Sequence, residues 1–424
     1  MAEMKINGNR LWGSLMEMAK IGATPKGGVC RLALTDLDKQ GRDLFVNWCK
    51  EAGCTVKVDQ MGNIFARRPG RNNSLAPVGT GSHLDSQPTG GRFDGVYGVL
   101  AGLEVIRTLN DHGIETERPV EASVWTNEEG SRFAPAMVAS GVYAGVFSLE
   151  YGLSRADADG KTMGEELKRI GYAGTEPVGG RPVHAFFETH IEQGPILENE
   201  GQTIGVVTDA QGQRWYELVL TGQDSHAGPT PMPSRRDALL GAAKVIQLVN
   251  EIGLAHAPVA VSTVGMLNVF PNSRNVIPGK VFLTVDFRCP DNDALTLMDA
   301  ELKAGVAKIA AAGKLEHSLA QIFQYDCVHF DESCVAMVRN SATALGYVTR
   351  DIVSGAGHDA CYMSKVTPTA MIFVPCIGGI SHNEIEDAKP EWIEAGGNVL
   401  FQAMLAKANE LPQVFKTNET IAVA

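Results

Sequence analysis

Five stretches of this 424-residue chain hold residues whose types and spacing could do chemistry. His83-Leu84-Asp85 closes an apolar run. Residues i and i+2 share one side of a strand, so Asp85 could accept the second N–H of a metal-ligating His83 and fix its tautomer. Asp94 stands in Gly90-Gly91-Arg92-Phe93-Asp94-Gly95, ahead of a helical pattern, where an acid is most often an N-cap. Its flanking glycines allow close backbone approach, and its carboxylate could instead bridge two cations with one oxygen on each. Glu128-Glu129 follows another apolar run. Adjacent acids usually mark an exposed loop, but a hydrolase can divide their labour. One binds a metal, and the other takes a proton from water whose pKa the metal has lowered. His190, in Thr189-His190-Ile191-Glu192-Gln193-Gly194-Pro195, and His382, in Gly378-Gly379-Ile380-Ser381-His382-Asn383-Glu384, each sit in a turn after a strand.

Each feature alone reads more easily as structural. Together, three histidines and two carboxylates form the mixed nitrogen and oxygen set that suits zinc, manganese, cobalt or nickel. The count fits two ions sharing Asp94, one with His83 and His190, the other with Glu129 and His382. Each keeps an open position for water.

The elements that must position these residues alternate in type. Asn7 to Gly22 and Thr35 to Gly53 read as helices, the second capped by Thr35 and stopped by Gly53. Val56 to Arg67 reads as strand and turn. Short apolar runs at Pro77–Ser82, Val120–Trp125, Val183–Glu188 and Thr369–Pro375 lead into the four site segments, with a strong helix over Gly95–Leu109 between the first two. Strands alternating with helices predict an α/β catalytic domain whose central, mostly parallel sheet is flanked by helices. Ligands of such sheets bind beyond the carboxyl ends of the strands.

One stretch has another rhythm. Trp215–Thr221, Val259–Val269, Lys280–Arg288 and Leu315–Phe323 read as strands, with helices over Arg235–Asn250 and Asp293–Ala312. That β-α-β-β-α-β order is the ferredoxin-like split unit. The expected layout is a discontinuous catalytic domain, 1–210 with 326–424, and an inserted α+β domain over 211–325.

A formal net charge of −12 argues against nucleic acid, which calls for a basic face. No uninterrupted apolar run reaches the roughly 18 residues of a membrane span, and residues 1–13 show no apolar signal region. The eight cysteines are scattered and form no CxxC, the pattern of reduced thiols in a cytoplasmic protein.

The motifs GSHLDSQPTGGRFDGVYGVLAGLEV from Gly81, TNEEGSRF from Thr126, ETHIEQGPILE from Glu188 and GGISHNE from Gly378 resemble the M20 family of dinuclear metallohydrolases. Within it they resemble the branch of N-carbamoyl-L-amino acid hydrolases, β-ureidopropionases and allantoate amidohydrolases, in the family's order and over nearly the whole chain. The resemblance implies that Glu128 is the general base and Glu129 a metal ligand, and that the inserted domain forms a homodimer. It further implies that His226, in Gly222-Gln223-Asp224-Ser225-His226-Ala227-Gly228, polarises the scissile carbonyl, and it leaves open whether this happens across the dimer interface. Asn275 and Arg288 match the pair that holds the substrate carboxylate, a task suited to the bidentate guanidinium. Gln193 and His358 match further substrate contacts. One departure is Gln87-Pro88, where relatives commonly carry valine or isoleucine; it removes no ligand.

The implied reaction is metal-assisted hydrolysis of a small ureido acid, with Glu128 as base toward water held between the two ions. An N-carbamoyl amino acid would give the amino acid, carbon dioxide and ammonia. Allantoate amidohydrolase, or an aminoacylase or dipeptidase on the same scaffold, are the alternatives. A protein that kept the fold but lost catalysis would be expected to lack Glu128 or a ligand, and none is missing. No GxSxG occurs to support a serine hydrolase.

Overall fold

The structure, a computed structural model, describes residues 4–411. The described residues divide into two compact units, one of residues 4–208, 330–352 and 358–411 and one of residues 209–329 and 353–357.

In the first unit four parallel strands lie side by side in the order Val120–Trp125, Val78–His83, Ala185–Ile191 and Thr369–Val374. Every residue of these four strands is buried, as expected of a sheet covered on both faces. Antiparallel strands extend the sheet: Ile64–Arg68 and then Thr55–Val58 beyond Val120–Trp125, and Ile204–Ala210 beyond Thr369–Val374. The last of these, and Thr349–Ser354 beside it, are not anticipated in the sequence. The helix Val96–Asp111 packs on the parallel strands with most of its circumference buried. Gly98 permits this approach, because a Cβ there would lie 2.5 Å from the carbonyl oxygen of Thr189. Helices Gly8–Met18 and Pro390–Ala408 pack against it and each other. Asn7 caps the first of these, and Thr35 caps Asp36–Glu51 through its side chain, as the sequence predicts.

The second unit holds Gly212–Thr221, Ala238–Ala255, Val261–Thr263 with Leu267–Phe270, Lys280–Cys289, Asn292–Gly313 and Glu316–Tyr325. All its strand pairs are antiparallel. In space Glu316–Tyr325 borders Gly212–Thr221, which borders Lys280–Cys289, which borders the two short strands. This is the split β-α-β-β-α-β arrangement. The single strand expected over Val259–Val269 is broken. Val264, Gly265 and Met266 stand opposite only Thr284 and Val285, so one extra residue is accommodated as a bulge around Gly265.

Among the described residues one helix, Ala238–Ala255, is long and apolar enough to cross a membrane by length and composition. Its inner face, Ala238, Ala242, Val245, Val249 and Ile252, is core of the second unit against Tyr216, Leu218, Val281 and Leu283. Leu240 and Leu254 are exposed.

Candidate metal centre

The four parallel strands deliver four site segments at their carboxyl ends. His83 is the last residue of its strand and His190 the penultimate residue of its own. Glu128 and Glu129 follow Trp125 by three and four residues, and His382 lies on the loop after Thr369–Val374. Asp94 comes from the turn into Val96–Asp111. That helix is capped at Gly95, with no side-chain cap bond, so the Asp94 carboxylate is not used as an N-cap. Gly95 has φ +68°, and a Cβ there would meet the His83 ring at 2.3 Å, which explains a glycine between the carboxylate and the imidazole.

Asp94 is the centre of the arrangement. Its Oδ1 lies 3.1 Å from His190 Nε2 and 3.6 Å from His83 Nε2. Its Oδ2 lies 3.3 Å from His382 Nε2, which is in turn 3.4 Å from Glu129 Oε2. Donor atoms of His83, Asp94 and His190 fall within 4.8 Å of one another, and so do those of Asp94, Glu129 and His382. Nδ1 of His83 lies 2.9 Å from the carbonyl oxygen of Asp85, and Nδ1 of His190 lies 2.9 Å from that of Ile191. Donation there leaves each Nε2 unprotonated, the tautomer a metal ligand requires, and turned toward Asp94; the Gly95 N–H donates to His190 Nε2 at 3.1 Å. A third group, Glu188, His190 and His358, adjoins these, with the His358 ring centred 4.5 Å from that of His190.

Asp85 corrects one expectation. Its backbone carbonyl, not its carboxylate, meets His83, because the strand ends at His83 and the i, i+2 rule stops with it. The carboxylate instead accepts the backbone N–H groups of Glu128 and Glu129, each at 3.3 Å, and so holds the acidic pair in place. Glu129 also accepts from Gln87, at 3.1 Å from its backbone N–H and 2.7 Å from its side-chain amide. Thus the residue that departs from the family pattern touches an expected ligand directly. Glu128 belongs to neither Asp94-centred triad; its Oε2 is 3.4 Å from His83 Nε2.

The electrostatics are those of an anionic pocket built for cations. Burial, reinforced by Asp359, Glu129 and Asp94 and opposed by His83, drives the Glu128 carboxyl well above its usual range. Burial and Asp94 bring Glu129 to about 7. Burial would lower His83, but Glu128 and Asp94 carry it well above the ordinary value, and the Asp94 contact brings His382 to about 9. Asp94 itself, despite burial, is held well below the carboxylate range by His190, His382 and His83. A divalent ion replaces protons in such a set.

Gln193 donates to Asp94 Oδ2 at 2.9 Å, and its own Oε1 is buried without a partner. Several contacts escape the sequence reading. Glu188 accepts from Ser82 Oγ at 2.6 Å and from the Ala360 N–H at 2.8 Å. It lies two residues before His190 on one strand, a same-side signal that could have found it. Glu386 and Ser381 reach Asp94 from a loop, with no comparable signal.

The remaining expected residues lie in the second unit. His226 pairs with Val276 in a two-stranded ladder, which puts Asn275 beside it; the Ala227 N–H donates to the Asn275 carbonyl at 2.9 Å. Arg288 is bound at 3.0 Å to Asp286, two residues back on its strand, and donates to the Gly355 carbonyl at 3.1 Å.

Residues 79–406 match Peptidase family M20/M25/M40, and the chain belongs to that family. It is 53% identical over 404 residues to an N-carbamoyl-L-amino-acid amidohydrolase of Rhizobium meliloti, covering 95% of this chain and 97% of that protein. It is 36% identical to the N-carbamoyl-L-amino acid amidohydrolase of Geobacillus stearothermophilus, over 94% of this chain and 98% of that one. A crystal structure of an amidase of the hydantoinase/carbamoylase family from Burkholderia multivorans superposes with a TM-score of 0.90 at 73% identity, covering 96% and 99% of the two chains.

Proposed function

We propose that the chain is a metal-dependent amidohydrolase that cuts the C–N bond of N-carbamoyl-L-amino acids, yielding the amino acid, carbon dioxide and ammonia. One observation carries this reading: two donor triads meet at Asp94, and Glu128 stands next to them while belonging to neither. The similarity to carbamoyl-amino-acid amidohydrolases supplies the substrate class.

When bound, two divalent ions, zinc or else manganese, cobalt or nickel, would polarise the ureido carbonyl and lower the pKa of the attacking water. His83 and His190 would hold one ion, Glu129 and His382 the other, and Asp94 both. Glu128 takes the proton of the attacking water and returns it to the leaving nitrogen. Asp85 keeps that carboxylate in place through the backbone. Gln193 has a free carbonyl oxygen for a ureido N–H. His226 steadies the developing oxyanion, Arg288 and Asn275 hold the carboxylate, and His358 lines the site beside His190.

The second unit is proposed as the dimerisation domain of a homodimer, since Leu240, Leu254, Val261, Leu267, Phe270 and Ile322 are all exposed on it. Eight free cysteines support a cytoplasmic location.

The test is ammonia release from N-carbamoyl-L-amino acids, N-carbamoyl-β-alanine and allantoate. Enzyme is stripped by chelator and resupplied with each metal in turn. Turnover of the carbamoyl-L-amino acids that returns with metal supports the reading. Preference for another compound refutes the substrate, and full activity of the stripped enzyme refutes the mechanism.

A further inference from the structure

Glu386 is buried, at 1% exposure, and its carboxylate is saturated by the turn that carries Asp94. Its Oε1 accepts the backbone N–H of Phe93 at 2.9 Å and of Asp94 at 3.2 Å. Its Oε2 accepts the Ser381 hydroxyl at 2.7 Å. The Ser381 Oγ is also 3.1 Å from Asp94 Oδ2 and 3.2 Å from Gln193 Nε2. A Cβ at Gly91 would fall 2.0 Å from the Glu386 carboxylate, so the 90–94 turn is wrapped around this one side chain. Next to it, Asp387 pairs with Arg92 at 2.7 Å. Residues 381–387 are therefore stitched to residues 91–94, and His382 lies within the stitched loop.

We propose that Glu386 is a positioning residue that fixes the loop of His382 against Asp94 Oδ2 and thereby assembles the outer of the two cation positions, a reading that rests on the two-ion site proposed above. The asymmetry follows from what holds each ligand. His83 and His190 are strand residues whose rings are oriented by the backbone carbonyls of Asp85 and Ile191, and Asp94 Oδ1 faces both. His382 has neither support. It is half exposed, on a loop, with φ +53°, and its placement relies on the contacts around it. Loss of Glu386 should free Asp94 Oδ2 and His382 from each other while leaving the inner three donors in place. Removing a residue that orients ligands typically costs roughly 10–100-fold in metal affinity. Here that cost should fall on one equivalent of metal only.

The experiment titrates Co2+ into chelator-stripped full-length protein, read by calorimetry and by the visible d–d spectrum. Wild type is compared with Glu386→Gln, Glu386→Ala and Ser381→Ala, and the melting temperature of each metal-free protein is recorded. Wild type should bind two equivalents. Glu386→Ala should bind the first with wild-type affinity and spectrum, and the second at least tenfold more weakly. Glu386→Gln, which keeps an acceptor for the two N–H groups, should recover part of the difference. Equal weakening of both equivalents alongside a lower metal-free melting temperature would mean that Glu386 merely supports packing, and would overturn the proposal. Unchanged binding of both would do the same. A wild type that takes up a single equivalent would instead refute the two-ion reading, and the proposal with it.

Discussion

Glu128→Gln keeps the length and shape of the side chain but removes its capacity to take a proton. General-base catalysis contributes roughly 10²–10⁴ in rate. The surroundings place this case in the upper half of that range, because the carboxylates expected to hold or orient the metal ligands are already engaged. Asp85 is occupied by two backbone N–H groups, Glu129 by Gln87, and Asp94 by three imidazoles and Gln193. Glu128 is 7% exposed, so bulk solvent cannot take over the role either. We expect kcat to fall by about 10³-fold or more, equivalent to about 4 kcal/mol in the barrier. KM should stay near the wild-type value, since the interaction lost is made only on the way to the transition state. Metal content should be unchanged, because Glu128 is in neither Asp94-centred triad. Steady-state ammonia release with metal analysis of the same preparations measures all three. A loss in kcat below tenfold would refute the assignment of the base, and loss of a metal equivalent would make Glu128 a ligand.

Three further outcomes follow. The metal-free protein should lose stability as pH rises from about 5 to 9. Glu129 and Glu386, raised to about 7, hold protons in the fold that the unfolded chain has already released, and His382, raised to about 9, does so at higher pH. Asp94 acts oppositely in acid, and His358, held well below its usual value by burial and His190, acts oppositely at the low end of the window, but the raised groups outnumber them; melting curves across pH would show the trend, and a flat profile would contradict it. Arg42→Ala breaks a fully buried ion pair with Asp38 (2.8 Å) and deprives the Gly62 carbonyl and Thr126 hydroxyl of a donor. It should destabilise by about 3–5 kcal/mol in denaturant unfolding. Gly95→Ala should abolish tight metal binding, since its methyl meets the His83 ring; wild-type metal content in this variant would refute the packing argument.

How much of this was legible depended on how local the signal was. Val120–Trp125 is found residue for residue, because a buried parallel strand is a continuous apolar run bounded by polar residues. The two donor triads could be assembled from residue types alone, since few other arrangements satisfy three histidines and two acids. Asp85 was found for the wrong atom, because sequence periodicity says nothing of where a strand stops. The Val259–Val269 strand was read without its bulge, which depends on the partner strand's register. Glu386 lies 292 residues from the Asp94 N–H it accepts, and only the folded chain brings them together.

Three loops that leave the parallel strands each place a non-glycine residue near the site in the left-handed region: Asn127 at φ +58°, Gln193 at +58° and His382 at +53°. A side chain in that region costs roughly 1–2 kcal/mol relative to glycine or a relaxed backbone. A campaign to raise the heat resistance of this protein would therefore find glycine attractive at all three. Selection for survival at high temperature and selection for turnover would pull these positions in opposite directions. Variants ranked only by melting temperature would accumulate a well-folded protein stripped of His382 and of the carbonyl oxygen that Gln193 offers.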